Sequence, residues 1–386
     1  MADSIVKQRK TFRYRLYPTA QQIALLDGQL SEACRLYNAA LQERRDAYRV
    51  KGLSLNYYDQ ASQLKVIRAA GDLGLANFSC CQEVLRRLDK NFKAFFRRVK
   101  EEKGKAGFPR FKSRSRYDSI TFPSHGDGCR LLPTNKLKLQ GVGQIKVKLH
   151  RKIAGKIKTV TVKREAGKWH VCFSVECEAA PLPESAAVVG VDVGLTAFAT
   201  LSDGTEIENP RHYRKAQARL RRAQRKAARR KRGSNNRKKA VGDLQAAHAH
   251  VRNQRTDFHH KVSPWLICNF GLIAVEDLNV KGLAAGLLAK SVSDAGWSSF
   301  IDKLTYKAEE AGRLLIKVDP RGTSQRCTCG ASVPKTLSQR WHECLSCGLS
   351  AGRDHVSAQE ILRRGLRLLG ETWPVAACAP NEAVAF

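Results

Sequence analysis

Acidic residues are scarce in this chain of 386 residues, since 35 Asp and Glu stand against 69 Lys and Arg and leave a formal net charge of +34. Such a chain attracts polyanions, of which DNA and RNA are the commonest. The sequence also has no apolar run of about 18 residues, which excludes an ordinary membrane-spanning helix. Its first residues contain no apolar secretory segment, so we expect a cytoplasmic protein without a membrane partner.

The content of hydrophobic residues also limits the class of protein. Hydrophobic residues make up 42% of the chain, which is enough for packed cores and excludes full disorder. At about 100–200 residues per domain, the length allows two to four domains. Eight of the 12 cysteines are scattered among apolar or helical neighbours, so we expect reduced, buried thiols rather than a disulfide framework.

The N-terminal third changes from a strand pattern to a helical one. Residues 11–17 alternate in polarity and predict a half-buried strand. Thr19 and Gln22 match a capping box, which predicts the start of a helix that runs to about Tyr48. The apolar stripe of this helix is expected to contain Ile23, Leu25, Leu26, Leu30, Ala33, Leu36, Tyr37 and Leu41. Two more helices are predicted, at 57–70 and 80–103.

A strand pattern returns between residues 119 and 178. Alternating segments predict strands at 136–139, 145–149, 157–163 and 169–176, with a hairpin turn at 165–168. Together with strand 11–17, these strands could close a small β-barrel. The predicted barrel comprises residues 1–18 and 118–184, and a helical domain of residues 19–117 is inserted in it.

Aromatic and basic residues alternate in the segment GFPRFKSRSRY at 107–117. Its aromatic rings could stack on bases while Arg110, Lys112 and Arg114 hold phosphates. The alternative is a solvated loop with an aromatic anchor. The basic character of the whole chain favours nucleic-acid contact.

Residues 211–239 contain fifteen Lys and Arg and no acid. A break at Gly233 predicts a helical hairpin, and a second helix follows to about Leu266. A run of charge is often only a solvated face, but these cations lack internal partners in the sequence, which favours a face that binds phosphates. The candidate contacts are Arg221, Arg222, Arg225, Lys226, Arg229 and Arg230.

Three acids in the C-terminal half lie in unusual surroundings. Asp192 lies inside the apolar run VVGVDVGL, Glu276 ends the strand pattern LIAVE, and Asp354 begins a predicted helix at 354–369. A buried acid costs free energy unless it is paired or binds a metal. Two divalent cations held about 3.5–4 Å apart by carboxylates can hydrolyse phosphodiesters. Further elements are predicted as strands at 272–280 and 314–319, a helix at 298–312 and a flexible tail at 371–386.

Four cysteines cluster within 21 residues, in the pairs Cys327–Cys329 and Cys344–Cys347. Four thiolates can bind a tetrahedral zinc ion and fold a ribbon that lacks a core of its own. The second pair has the usual gap of two residues, and the first has a gap of one. His342 could replace one ligand, and a vacated site or a reducible thiol pair are the alternatives.

These features together resemble TnpB, the transposon-encoded RNA-guided DNA endonuclease, and the compact type V CRISPR effectors derived from it. The resemblance covers about residues 8–369. The segments that carry it are FRYRLYPTAQQ (12–22), GFPRFKSR (107–114), GVDVG (190–194), EDL (276–278), SVSDAGW (291–297), LTYKAEEAG (304–312), TSQRC (323–327) and CLSCG (344–348).

The resemblance implies an α/β multidomain protein. A RuvC-like nuclease domain of the RNase H fold would comprise residues 185–320 and 351–370, with a zinc ribbon inserted at 321–350. The barrel would be the wedge-like domain, and its helical insert the recognition domain. Asp192, Glu276 and Asp354 would be the catalytic ligands of Mg²⁺ or Mn²⁺.

The resemblance also implies the partners: a guide RNA, and a double-stranded DNA target beside a short motif. Arg13, Arg15 and Gln82 are candidate nucleic-acid contacts, and a monomer with its RNA is expected in the prokaryotic cytosol. Gly352 and Val356 depart from the family pattern, in which Asp and Asn stand at these positions. A CRISPR effector, a weakly cleaving or non-cleaving RNA-guided binder, and a basic nucleic-acid-binding protein with a zinc ribbon are the alternatives.

Overall fold

A computed structural model describes residues 7–101, 106–179, 181–336 and 338–370. The chain forms two units, the first ending at Glu178 and the second beginning at Ala179. The tail predicted at 371–386 and Cys378 lie outside the described residues. No described helix combines the length and apolar character needed to cross a membrane.

The first unit contains one antiparallel sheet and three helices. In chain order these are β1 (Lys7–Tyr17), α1 (Ala20–Lys51), α2 (Tyr57–Ala69), α3 (Phe78–Lys100), β2 (Ser119–Phe122), β3 (Cys129–Leu131), β4 (Lys136–Leu139), β5 (Gly143–Lys148), β6 (Lys156–Glu165) and β7 (Lys168–Glu178). The seven strands pair in the order β2-β6-β7-β1-β5-β4-β3. The β6–β7 turn has positive φ at Ala166 and Gly167, as a two-residue hairpin requires. Closure of this sheet into a barrel stays a prediction.

Helix α1 begins as the sequence predicts and buries a narrower stripe. The side chain of Thr19 accepts a hydrogen bond from the backbone N–H of Gln22, and the Gln22 side chain accepts one from Thr19, which completes the capping box. The buried stripe begins at Leu26. Placing Ile23 and Leu25 in it was wrong, because they are 37% and 42% exposed on the first turns of the helix.

The sheet and the helices of the first unit share one hydrophobic core. That core includes Tyr14 and Leu16 of β1, Leu30 and Tyr37 of α1, Leu88 of α3, and Phe173 of β7. Contact with helices on one side explains why the strands alternate, and Lys136 and Lys138 of β4 lie on the exposed side.

The second unit contains a mixed five-stranded sheet, a small hairpin and the remaining helices. Its elements are β8 (Val188–Val193), β9 (Ala197–Leu201), β10 (Glu206–Glu208), α4 (His212–Ala228), α5 (Asn235–Asn269), β11 (Leu272–Glu276), α6 (Val280–Leu283), α7 (Ala289–Ala295), α8 (Trp297–Ala311), β12 (Leu314–Val318), β13 (Trp341–Glu343), β14 (Ser350–Gly352) and α9 (Arg353–Leu368). The strand predicted at 272–280 was too long, since it ends at Glu276.

The two faces of this sheet bury different residues of the same strands. In β11, Ile273 and Val275 pack with α5 and α8, whereas Leu272 and Ala274 pack with α9. Strands β8, β11 and β12 run parallel, in the order β10-β9-β8-β11-β12. Side chains two positions apart on a strand lie on the same face of a sheet. The residues two positions after Gly190 in β8 and two positions after Ala274 in β11 therefore lie on the face that α9 covers.

The expectation of buried, reduced thiols was right for most cysteines. All described cysteines are free, and Cys34, Cys80, Cys81, Cys129 and Cys177 are buried. Cys172 is half-buried. Cys268 contradicts the expectation because it is exposed near the end of α5.

Candidate nuclease site, cysteine ribbon and basic hairpin

The ends of two parallel strands carry two of the predicted acids. Val191 of β8 pairs with Val275 of β11, and Asp192 and Glu276 follow these residues directly. Asp192 lies two positions after Gly190, and Glu276 lies two positions after Ala274, so both acids belong to the face that α9 covers. The parallel register therefore brings two carboxylates to one end of the sheet.

Helix α9 brings the third acid to the same end because it packs very closely on these strands. A Cβ atom on Gly190 would lie 2.0 Å from the carbonyl oxygen of Ala358, and one on Gly365 would lie 2.8 Å from the Cβ of Ala274. Only glycine permits this approach. Asp354 is in the first turn of the helix, at the end near the two strand acids.

The electrostatics of the site couple these carboxyl groups. Burial raises the pKa of Asp192 well above its usual range, and the charges of Glu276 and Asp354 raise it further, against a smaller opposing effect of Arg353. Burial also raises the pKa of Glu276, while a hydrogen bond from Thr323 and the charge of Arg364 oppose the rise. A bound divalent cation would relieve the repulsion between these groups, so the donors suit Mg²⁺ or Mn²⁺.

The described residues bring four cysteines even closer together. The Sγ atoms of Cys327, Cys329, Cys344 and Cys347 all lie within 4.8 Å of one another. The carboxylate oxygens of the three acids do not all lie this close together. The Sγ atoms of Cys327 and Cys347 are 3.6 Å apart, and those of Cys329 and Cys344 are 3.7 Å apart. Zn–S bonds of about 2.3 Å in a tetrahedron give an S···S distance of about 3.8 Å, so the sulfur positions fit zinc.

Tight turns make this arrangement possible despite the short first pair. Gly330 and Gly348 both have positive φ, and their N–H groups donate to the carbonyl oxygens of Cys327 and Cys344. Desolvation opposes ionisation of Cys344, but backbone N–H groups of Cys347 and Ser346 lower its pKa to about 6. This favours the thiolate form of Cys344 alone. Although a backbone hydrogen bond from Leu349 opposes the shift, the thiols of Cys327, Cys329 and Cys344 raise the pKa of Cys347 to about 12, so a bound cation would displace a proton from Cys347.

His342 is not a member of the cluster. It is fully buried and its Nδ1 contacts Nζ of Lys335. The suggestion that it could replace a cysteine ligand was therefore wrong, because β13 directs its side chain into this contact while the four sulfurs already lie together.

The predicted nucleic-acid contacts of the first unit differ in their exposure and in their contacts within the protein. Arg13 is exposed but forms an ion pair of 2.5 Å with Glu165. Arg15 and Gln82 are half-buried, and the Arg15 guanidinium lies over the ring of Tyr17. All three assignments stay predictions.

The three aromatic side chains of the segment 107–117 differ in exposure, because Tyr117 is buried while Phe108 and Phe111 are 45% and 46% exposed. Phe108 contacts Phe92 and Phe95, and Tyr117 is only 2% exposed. The side chain of Asn38 in α1 donates a hydrogen bond to the carbonyl oxygen of Lys112 and accepts one from its backbone N–H, so the segment is anchored on α1. Arg110 and Arg114 remain exposed, whereas Lys112 is half-buried with its Nζ over the ring of Tyr37. Tyr117 therefore resembles the aromatic anchor of the alternative interpretation, while nucleic-acid contact by the exposed part of the segment stays a prediction.

The basic hairpin comprises α4 and α5. A thin apolar stripe joins the helices, and it includes Leu220, Ala247 and Val251. Asp294 caps α4 by accepting hydrogen bonds from the backbone N–H groups of Tyr213 and Arg214. This contact gives the SVSDAGW segment a structural role.

The six candidate cations of α4 and its C-terminal end all lie on the exposed side of the hairpin: Arg221, Arg222, Arg225, Lys226, Arg229 and Arg230. The expectation that the run lacks internal partners was wrong in two places. Nζ of Lys226 lies 2.9 Å from Oδ2 of Asp243, and Arg237 donates to the carbonyl oxygens of Ala227 and Arg230. The second helix supplies these partners because it folds back along the first.

Four residues around the acids were missed by sequence reasoning: Thr323, Arg353, Glu360 and Arg364. Glu360 is fully buried and forms ion pairs with Arg363 and Arg364. Val356 is 1% exposed in the core, which explains an apolar residue where the family pattern has Asn. The only sequence signal for Thr323 was its place in the TSQRC segment.

The fold is similar to that of Cas12f1. The structure titled "Cryo-EM structure of the Cas12f1-sgRNA-target DNA complex" superposes with a TM-score of 0.60 at 15% identity, covering 92% of this chain and 98% of that chain. Family profiles match at residues 170–285 ("Probable transposase"), 297–361 ("Cas12f1-like, TNB domain") and 8–52 ("Helix-turn-helix domain").

Relatives over nearly the full length identify the family. The chain is 32% identical to "Putative RNA-guided DNA endonuclease InsQ" of Escherichia coli (strain K12), with 94% of each chain covered. It is 33% identical to "Putative RNA-guided DNA endonuclease" of Streptomyces pristinaespiralis, with 93% of this chain and 90% of that protein covered. The chain therefore belongs to the TnpB family.

Proposed function

We propose that the chain is an RNA-guided DNA endonuclease of the TnpB type, in which Asp192, Glu276 and Asp354 form a RuvC-like site for Mg²⁺ or Mn²⁺. The observation that carries this proposal is the meeting of three acids from β8, β11 and α9 at one end of the second sheet. Burial and the charges of the other two carboxylates disfavour the charged form of Asp192, and burial disfavours the charged form of Glu276. A purely structural role would leave that cost without compensation.

In this site the protein's own residues bind and orient the reacting groups. Asp192 and Glu276 are on adjacent parallel strands, and the first turn of α9 supplies Asp354, so a cation would be held by all three once their carboxylates move closer together than the cysteine sulfurs' 4.8 Å limit. The cation would supply activation of water and charge stabilisation of the leaving oxygen. Arg353 and Arg364 limit the net negative charge around the acids.

The proposed partners are a guide RNA and a double-stranded DNA target that carries a short adjacent motif. The formal charge of +34 and the exposed cations of α4 support a polyanion partner. The similarity to RNA-guided DNA endonucleases supports the guide RNA. Base pairing by that RNA would read the target, and residues of the first unit, Gln82 among them, would read the motif.

We assign residues 185–320 and 351–370 to a RuvC-like domain of the RNase H fold, and residues 321–350 to a ribbon that binds one zinc ion. Residues 1–18 and 118–184 form the wedge-like domain, with the helical recognition domain at 19–117. The mixed sheet, with α9 on one face and α5 and α8 on the other, supports the first assignment. The sulfur distances support the second.

The test is DNA cleavage by Asp192→Asn, Glu276→Gln and Asp354→Asn, each copurified with its RNA. Each variant should lose cleavage at least 100-fold and keep its affinity for the RNA, because Lys and Arg contacts to phosphates dominate binding. Glu208→Gln, an exposed acid on β10, is the matched control and should cleave normally. Normal cleavage by Asp354→Asn would remove that residue from the site, and a wild-type complex that binds DNA but never cuts would favour the non-cleaving alternative.

A further inference from the structure

One hydroxyl joins the entrance of the cysteine ribbon to the candidate nuclease site. Thr323 begins a short 3₁₀ helix, Thr323–Gln325, that leads to Cys327, and it is 4% exposed. Its Oγ1 donates a hydrogen bond of 2.5 Å to Oε1 of Glu276. The carbonyl oxygen of Pro320 lies farther away, at 3.1 Å, so the single hydroxyl proton belongs to the carboxylate contact.

Arg364 of α9 fixes the segment that precedes Thr323. Its Nη1 donates hydrogen bonds of 2.8 Å to the carbonyl oxygens of Asp319 and Arg321. Its Nε donates to Oε1 of Glu360, which is fully buried. The path of the chain into the ribbon is therefore tied to the helix that carries Asp354.

Arg353 of α9 fixes the other end of the ribbon. Its Nη1 donates a hydrogen bond of 3.1 Å to the carbonyl oxygen of Thr336, and its backbone N–H donates one of 2.9 Å to the carbonyl oxygen of Arg340. Its Nη2 also reaches Oγ of Ser324, at 3.3 Å. The residue next to Asp354 thus holds both sides of the ribbon base, and the orientation of Thr323 depends on that base.

We propose that Thr323 is a positioning residue, through which the folded ribbon fixes the orientation of the Glu276 carboxylate toward a divalent cation. The inference rests on the proposed function, because it takes Glu276 as a metal ligand. With Oε1 held by Thr323, rotation of the carboxylate is restricted before the cation binds. Hydrogen bonds to metal ligands of this kind change metal affinity or activity by about 10–100-fold when they are removed.

The experiment compares Thr323→Val, Thr323→Ser and the control Thr305→Val in the full chain with its RNA. Valine removes the donor and keeps the shape, whereas serine keeps the donor. Among the described residues, the hydroxyl of Thr305 donates to the carbonyl oxygen of Ile301 within α8, far along the chain from the three acids of the site, so this variant measures the general cost of a Thr→Val change in the same unit. Zinc content and RNA affinity should match the wild type in all three variants.

Two readouts test the role. DNA cleavage is measured against Mg²⁺ concentration, and Thr323→Val should need about 10-fold more Mg²⁺ for half-maximal rate. Occupancy is measured without DNA turnover by replacing Mg²⁺ with Fe²⁺, adding ascorbate and peroxide, and mapping cuts in the polypeptide near Asp192 and Glu276 by mass spectrometry. Thr323→Val should need more Fe²⁺ for these cuts, and Thr323→Ser should resemble the wild type.

Equal metal dependence of Thr323→Val and Thr305→Val would overturn the proposal, as would equal impairment of the valine and serine variants at position 323. Different results would contradict the proposed nuclease site and the positioning role of Thr323. If Glu276→Gln cleaves normally, the nuclease site and this inference are both wrong. If Glu276→Gln is inactive and Thr323→Val is normal, only the positioning role is wrong.

Discussion

Gly190 illustrates how a single residue controls the candidate site. Its missing side chain allows the backbone of α9 to pack against β8, and the same contact places Asp354 beside the strand acids. The GVDVG segment drew attention to Asp192 from the sequence, but the reason for glycine at its first position required the structure. An alternation pattern cannot show how close a helix will approach a strand.

Gly190→Ala should displace α9 or destabilise the second unit, because the new Cβ would lie 2.0 Å from the carbonyl oxygen of Ala358. We expect a cost of roughly 1–3 kcal/mol and a cleavage rate reduced by at least 10-fold. Gly242→Ala in α5 is the control, because a Cβ there meets no atom within 4 Å. The thermal unfolding midpoint and the single-turnover cleavage rate are the measurements, and equal behaviour of the two variants would contradict the packing argument.

His259 should make the second unit sensitive to acid. Burial among aromatic rings lowers its pKa to about 4, although its hydrogen bond to the carbonyl oxygen of Ala295 opposes the shift. The unfolded chain binds this proton near pH 6.5 and the folded chain does so only near pH 4, so stability is present above pH 6.5 and is lost as the pH falls between these values. The loss from this residue between pH 7 and pH 5 is about 2 kcal/mol.

Calorimetric unfolding of the wild type and of His259→Phe at pH 7 and pH 5 measures this contribution. Other histidines titrate in both proteins, so the comparison isolates position 259. The variant lacks the titrating group and should lose less stability on acidification, whatever its stability at pH 7. Identical losses would show that His259 does not contribute to the pH dependence.

At the scale of elements, the basic hairpin combines a predictable charge with an unpredictable set of partners. The sequence predicted the helices and the cations, but only the fold of α5 along α4 shows that Lys226 meets Asp243. The first helix also ends earlier than expected, at Ala228, because local composition does not determine where tertiary contacts end a helix.

Replacing Arg221, Arg222 and Arg225 with Gln should weaken nucleic-acid binding equally for all sequences. The slope of log affinity against log salt is negative, and each lost phosphate contact should reduce its magnitude by about 0.7–0.9. Lys226→Gln is the matched control and should change the slope less, because Asp243 already neutralises part of that charge. Titration of RNA at several salt concentrations gives the slopes, and an unchanged slope in the triple variant would show that this face is only solvated.

The ribbon should contain one zinc ion per chain. The four sulfurs lie within 4.8 Å of one another and two pairs have the spacing expected for zinc, so Cys347→Ser should lower the zinc content and loosen the segment between β12 and α9. Inductively coupled plasma mass spectrometry of protein purified without chelator gives the metal content, with Cys268→Ser, an exposed cysteine outside the cluster, as the control. Protein free of zinc would show that the short first pair does not bind the metal.

At the scale of the whole molecule, most element types and the identities of the candidate ligands could be predicted from the sequence. Strong periodicity gave the helices and strands, and unusual context gave the three acids and four cysteines. The contacts that connect them could not be predicted. Thr323 and Arg364 are ordinary residues in the sequence, and their roles arise from contacts with Glu276 and with the carbonyl oxygens of Asp319 and Arg321, many positions away.

From the charge of the whole chain we expect that its folded stability and its nuclease activity depend on bound RNA. A protein with a formal charge of +34 repels itself, so a bound polyanion should stabilise its folded form. Without RNA we expect a poor and non-specific nuclease. Specificity would then come from the guide.

Cleavage of a plasmid library by the complex with its native RNA is the most direct test of the central claim. The plasmids carry a guide-matched or mismatched target beside randomised bases, and the reaction contains Mg²⁺. We predict cutting only of matched targets beside one short motif, its loss with EDTA, its return with Mg²⁺ or Mn²⁺, and its absence in Asp192→Asn. Cutting that ignores both the guide and the flanking bases, or that persists in Asp192→Asn, would contradict it.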